Sequence, residues 1–169
     1  MLQKLNNLKY PTLAVIKGAA FGGGVGLISC CDIALASENS IFSLSEVKVG
    51  LIPATISPYV INAIGARNAR RLFTSGERFD SNIAKQINLV HEIAKEEDLE
   101  KRISYFINHF KQNGPQAVIA AKKIVLDIFN KEIDDSVISH TCEVISALRT
   151  SKEGREGVTA FLEKRNPNW

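Results

Sequence analysis

The sequence predicts an α/β protein: a mixed strand-and-helix first half followed by an all-helical remainder. Three observations carry this. Two apolar strand-like runs, Thr12–Ile16 and Ile33–Ala36, flank a glycine cluster and a short apolar segment, the order of a βαβ-like unit. From residue 97 onward apolar residues recur at helical spacing with no strand-like run between them. The chain has 169 residues with 45% hydrophobic and 23% charged side chains, ordinary globular usage. A domain of this length buries roughly 68–70% of its unfolded surface, so a core forms without staples.

The elements follow in order. The polar opening MLQKLNNLKY is helix-like, and Thr12-Leu13-Ala14-Val15-Ile16 is a β-rich run suited to a buried strand. Gly18, Gly22, Gly23, Gly24 and Gly26 come next, then a short apolar helix over Val25–Cys31 and a second strand at Ile33–Ala36. Ile41 and Phe42 start a third strand. Ser57 to Gly76 reads as two helices, with Ser57 as N-cap, Pro58 at the first helical position, and Gly65 and Gly76 at the two C-terminal ends. Asp80 caps a short helix through Ile87, ahead of a strand at Leu89–Ile93.

In the helical part, Leu99, Ile103, Phe106, Ile107 and Phe110 share one face. Gly114-Pro115 ends that helix and opens the next, and Val137 to Leu148 marks a third. Thr150-Ser-Lys-Glu153 reads as a capping box for a last helix, which Pro167 stops. The change of character places a boundary near residue 95, giving units 1–95 and 96–169 with no Gly/Ser-rich linker between them. No internal repeat is visible.

Composition excludes several classes. The net charge of +3 does not call for nucleic acid, although it suits an anionic small ligand. Cys30, Cys31 and Cys142 are odd in number with two adjacent, a poor disulfide framework, and read as small buried hydrophobes. There is no CxxC, and His91, His109 and His140 lie far apart, so no metal site is expected. His91 and His140 read as structural or surface residues. No apolar targeting region opens the sequence, and no run reaches the 18 or so apolar residues of a membrane span. The expectation is a soluble cytoplasmic protein with no membrane or nucleic-acid partner.

Two segments carry candidate chemistry. Gly22-Gly23-Gly24 lies between a strand and a helix. Glycines there permit close approach to the backbone, and a helix N-terminus presents unpaired N–H groups, a donor site for an oxyanion or phosphate. A tight turn with close helix–strand packing accounts for the same glycines. The cluster is not a P-loop, because no Gly-Lys-Ser/Thr follows, and it lacks the last glycine of a dinucleotide fingerprint. Glu46 lies in FSLSEVKVGLIP among apolar neighbours, which suits general acid/base work; a surface glutamate beside Lys48 is the alternative.

Taken together, PTLAVIKGAAFGGGVG (11–26), CDIALA (31–36), FSLSE (42–46), GLIP (50–53), ARRLFTSGERF (69–79), NLVH (88–91) and FLEKR (161–165) resemble the crotonase, or enoyl-CoA hydratase/isomerase, superfamily along nearly the whole chain. The SEVKVGLIPATISPYV wording is most similar to bacterial methylglutaconyl-CoA and carboxygeranoyl-CoA hydratases, enzymes of leucine and fatty-acid breakdown. The resemblance implies the crotonase-like (ClpP/crotonase) ββα spiral and an acyl-CoA substrate, with coenzyme A as part of the substrate and no separate cofactor. It places Gly23 as one of two backbone donors of an oxyanion hole and Glu46 as the second of the two glutamates that hydratases use. The first falls on Gly26.

The resemblance further assigns Phe21, Gly22, Gly24, Gly26, Leu51 and Pro53 to substrate binding, with Ile52 and Ala54–Ile56 beside the acyl chain. Phe161 and Lys164 match positions that hold the CoA adenine and phosphate of a neighbouring subunit. The C-terminal helices correspond to the part that builds homotrimers and hexamers. Three functions stay open: a hydratase adding water across Cα=Cβ, a single-glutamate enoyl-CoA isomerase, and a non-catalytic or truncated family subunit. The match begins roughly a third of the way into the family pattern. Early strands, much of the adenine pocket and the second oxyanion donor are therefore expected to be missing, leaving an exposed sheet edge.

Overall fold

The computed structural model describes residues 1–169. They divide into two compact units, Met1–Ile103 and Ser104–Trp169.

The first unit opens with a short helix, α1 (Leu2–Asn6), and holds two three-stranded sheets. In one, β1 (Leu13–Ile16) pairs in parallel with β3 (Ile33–Ser37), which pairs in parallel with β6 (Glu92–Ala94). In the other, β2 (Ala19–Phe21) is parallel to β4 (Ile41–Ser43), and β4 is antiparallel to β5 (Arg78–Asp80). A parallel pair needs a crossover, and α2 (Gly23–Ser29) supplies it. Ala34, Leu35 and Ala36 of β3 are at most 1% exposed, the pattern of a strand covered on both faces. Thr12 and Asp32 fix the entry to β1 and β3. The Thr12 backbone N–H and hydroxyl donate to the Asp32 carboxylate at 2.7 and 2.8 Å.

Helix α3 (Ser57–Ser75) is broken at Gly65 (φ 75°, ψ 155°), so the two helices read from the sequence are two segments meeting at that glycine. Its Val60, Ile64 and Leu72 pack with Val25 and Ile28 of α2 in the core, where Phe42 and Phe79 stack with centroids 5.6 Å apart. Ser57 is not the N-cap. Ile56 holds that position, and the Ser57 hydroxyl donates to the Ala54 carbonyl at 2.8 Å. Asp80 does cap α4 (Ser81–Gln86), accepting from the Ile83 N–H at 2.9 Å.

The last strand begins later than the sequence suggests. Leu89 and Val90 donate their N–H groups to the Ala84 carbonyl, closing the end of α4, and His91 donates the first inter-strand bond, to the Ala34 carbonyl. The unit boundary also lies beyond residue 95, inside α5 (Leu99–Gln112). Leu99 is fully buried, and Arg102 pairs with Glu92 of β6 through its Nε and one Nη, so the first turn of α5 is tied to the sheet.

The second unit contains α6 (Pro115–Ile128), α7 (Asp135–Thr150) and α8 (Lys152–Leu162). Neither α6 nor α7 has a buried residue, and Val125, Ile145, Phe161 and Leu162 are 59–81% exposed. The predicted capping box is shifted. Ser151 caps α8 by accepting from the Gly154 N–H at 2.9 Å, and Glu153 instead accepts from the Gln116 and Ala117 N–H groups at 3.0 and 2.8 Å, capping α6.

Candidate active site

The glycine cluster and the lone glutamate meet in the first unit. β2 ends at Phe21, and Gly22 turns the chain into α2 with φ 48° and ψ −112°, backbone that only glycine adopts without strain. The Gly22 N–H donates to the Ser43 carbonyl at 2.9 Å, which pins the turn to the end of β4. Gly23 is exposed, nothing lies within 4 Å of where a Cβ would stand, and as the first residue of the helix its N–H has no intrahelical acceptor. Gly24 packs against Ala20.

Glu46 begins a 3₁₀ turn over Glu46–Val49, three residues past Ser43. The Leu51 N–H donates to its carbonyl at 3.1 Å and holds the following loop. Its carboxylate lies against the glycine turn: a Cβ on Gly22 would be 2.9 Å from Oε1. Oε2 is buried and makes no hydrogen bond. An unsatisfied buried oxygen costs about 1–3 kcal/mol, and a catalytic role is one of the few reasons for a fold to keep one. The surface alternative for Glu46 therefore does not describe this side chain, and Lys48 is not its partner.

Gly26 is buried beneath Ile56. A Cβ there would stand 2.2 Å from Ile56 Cγ2 and 2.7 Å from Ile56 Cβ. The position assigned by resemblance to a first carboxylate is therefore closed by an aliphatic side chain, and Glu46 is the carboxylate that lies against the glycine turn. Pro53 is buried, whereas Leu51 and Ile52 stand 63% and 72% exposed on the loop after Glu46. Phe161, 81% exposed, and Lys164, at φ 54° just past α8, belong to the second unit. Phe161 lines an open groove of about 580 Å³ with Val118, Gly157 and Trp169.

His91 and His140 have structural partners. His91 Nδ1 accepts from the Ala34 N–H at 3.0 Å, and His140 pairs with Asp127 at 3.1 Å. Burial, and then the neighbouring Cys31, pushes the Cys30 thiol up, which leaves it an inert core residue. Sequence reasoning placed Ile56 along the acyl chain but not over Gly26, and it passed over Arg78. The guanidinium of Arg78 lies 5.4 Å from the centre of the Phe21 ring. No helix is long and apolar enough to cross a membrane.

The family model described as enoyl-CoA hydratase/isomerase matches residues 1–169. An enoyl-CoA hydratase of Alternaria alternata is 33% identical over 161 residues, 94% of this chain and 53% of that protein. A mitochondrial Delta(3,5)-Delta(2,4)-dienoyl-CoA isomerase of Dictyostelium discoideum is also 33% identical, over 98% of this chain and 57% of that protein. Among solved structures, an enoyl-CoA hydratase from Shewanella pealeana superposes with a TM-score of 0.94 at 44% identity, covering 99% of this chain and 63% of that one. The α/β crotonase-like fold is thus shared, and the chain spans little more than half the length of these curated relatives.

Proposed function

Because the chain belongs to the enoyl-CoA hydratase/isomerase family, we propose that it acts on an acyl-CoA thioester as an enoyl-CoA hydratase. The observation that carries this reading is the buried, unpartnered Oε2 of Glu46 beside the glycine turn. In this mechanism the thioester oxygen accepts the Gly23 N–H at the start of α2, where the helix dipole also favours negative charge. Glu46 orients a water and takes its proton as hydroxide bonds to Cβ. The Cα=Cβ electron pair shifts to the thioester oxygen as an enolate. The enolate then collapses, and Cα takes the proton back from Glu46. Oxyanion donors of this kind are worth about 3–4 kcal/mol.

The Gly26–Ile56 contact favours a second reading. With an aliphatic wall in place of a second carboxylate, Glu46 would remove a Cα proton from a 3-enoyl-CoA and return it to Cγ, an isomerisation that needs no water. At the finer level, the reading extends to a methylglutaconyl-CoA or carboxygeranoyl-CoA type of substrate and a cytoplasmic setting. It also includes a homotrimer or hexamer in which Phe161 and Lys164 reach a neighbour's CoA. The exposed apolar side chains of α6–α8 support the assembly.

The test offers the chain a 2-enoyl-CoA and a 3-enoyl-CoA. Loss of 2-enoyl absorbance supports the hydratase, and formation of the conjugated product from the 3-enoyl substrate supports the isomerase. Glu46→Gln should silence either. Unchanged turnover in Glu46→Gln would refute the mechanism, and Gly23→Pro, which removes the N–H, should abolish turnover while binding persists.

A further inference from the structure

We infer that Arg78 binds an anionic group of the thioester substrate, a phosphate of the CoA or a carboxylate on the acyl chain. This rests on the acyl-CoA reading above and names a contact that reading does not contain. Four observations carry it. First, sheet register sets Arg78 beside the site: Phe21 pairs with Ser43, Ser43 pairs with Arg78, and the Ser43 carbonyl receives the N–H of Gly22, the residue against the Glu46 carboxylate. Secondly, Arg78 is exposed and stacks on the face of Phe21, itself 40% exposed, which orients the guanidinium while leaving its N–H edge available.

Thirdly, the carboxylates that flank Arg78 in the chain are committed elsewhere. Glu77 is held by Arg71 at 2.7 Å and by the Ser75 hydroxyl, and Asp80 caps α4. Arg78 has no ion pair, and residues 1–31, which supply β2 and the glycine turn, contain no Asp or Glu. Fourthly, a second unpaired cation packs on the chain two residues before Arg78. The Lys48 stem packs over Gly76, its Cε 3.2 Å from where a Cβ on that glycine would stand. A planar fork of donors on an aromatic face, with positive charge around it, suits bidentate capture of a phosphate or carboxylate.

The test is calorimetric titration of the whole chain and its Arg78→Leu variant with three ligands. These are crotonyl-CoA, crotonyl-pantetheine, which has the thioester but no phosphate, and the pantetheine monothioester of an unsaturated dicarboxylic acid. If the anion is a CoA phosphate, Arg78→Leu weakens crotonyl-CoA about tenfold, ~1.4 kcal/mol, and leaves crotonyl-pantetheine unchanged. If it is an acyl carboxylate, the same loss falls on the dicarboxylate thioester instead. Arg78→Gln reads the same contrast should the leucine variant not fold. Equal loss on all three ligands, or no loss on any, would overturn the assignment while leaving the acyl-CoA reading standing. A wild-type chain that binds none of the three would overturn both.

Discussion

Ile56 fills the space beside Gly26: a Cβ on the glycine would lie 2.2 Å from Ile56 Cγ2. The pair links the crossover helix to the start of α3 and decides what the site can contain. Gly26→Ala should destabilise the fold by about 1–3 kcal/mol through overpacking, and Ile56→Ala by about 2–5 kcal/mol through the cavity it leaves. The double variant removes the 2.2 Å contact and keeps the 2.7 Å one with Ile56 Cβ, so its loss should fall below the sum. Urea midpoints of the four proteins measure the coupling, and strict additivity would show that the two side chains do not compete for this space.

Gly22 is the other glycine the site requires. A methyl group there would sit 2.9 Å from Glu46 Oε1, on backbone at φ 48° and ψ −112°. Gly22→Ala should therefore cost about 1–3 kcal/mol in backbone strain and push the carboxylate from its place. The expected result is a lower melting temperature together with loss of whichever enoyl-CoA activity the wild type has. A variant that melts lower but turns over normally would show that Glu46 tolerates the displacement.

How much of this could be read from the sequence depends on the range over which each feature is set. β3 was legible because residues covered on both faces are apolar in an unbroken run. β2 and β5 are three residues each, too short for any alternation to show, and β2 lies inside what reads as a glycine loop. Glu46 stands out as an acid among apolar neighbours, so its candidacy was local information. The seating of its carboxylate against Gly22 and the closure of Gly26 by Ile56 are contacts between distant parts of the chain, which no spacing rule records. The same holds for Arg78, whose place beside the site comes from a register across three strands. Glu153 shows the limit most directly: the local pattern assigns it to its own helix, but its carboxylate reaches the N-terminus of α6, 36 and 37 residues away.

That long-range cap is itself testable. Glu153 accepts two of the backbone N–H groups that α6 cannot satisfy internally, and it approaches Gly114 so closely that a Cβ there would lie 2.5 Å from Oε1. Glu153→Ala should lower stability by about 0.5–2 kcal/mol, the range for losing a helix cap. Gly114→Ala should act through the same carboxylate, so its effect should shrink in a Glu153→Ala background. Thermal melts followed by helical circular dichroism measure both, and a Gly114→Ala penalty of equal size in the two backgrounds would place the clash elsewhere.

Acid should release the C-terminal segment before the rest of the helical unit. The Arg165 guanidinium donates to both carboxylate oxygens of Glu156, at 2.7 and 3.1 Å, and the Asn168 N–H donates at 2.8 Å. These hydrogen bonds, that from Arg165 foremost, hold the Glu156 carboxyl down at about 2. The unfolded chain protonates the same group near its ordinary value of about 4.3. A carboxylate depressed in the folded state stabilises above the unfolded value, and that contribution is lost as pH falls from about 4.3 toward 2. The sole tryptophan, Trp169, lies against Gly157 one turn into the same helix and reports the event by fluorescence. Wild-type emission should shift across this window with the tail's release. Glu156→Gln, which has no charge to lose, should show a released tail at neutral pH and little further change on acidification. A variant whose titration curve overlays that of the wild type would show that Glu156 does not hold the tail.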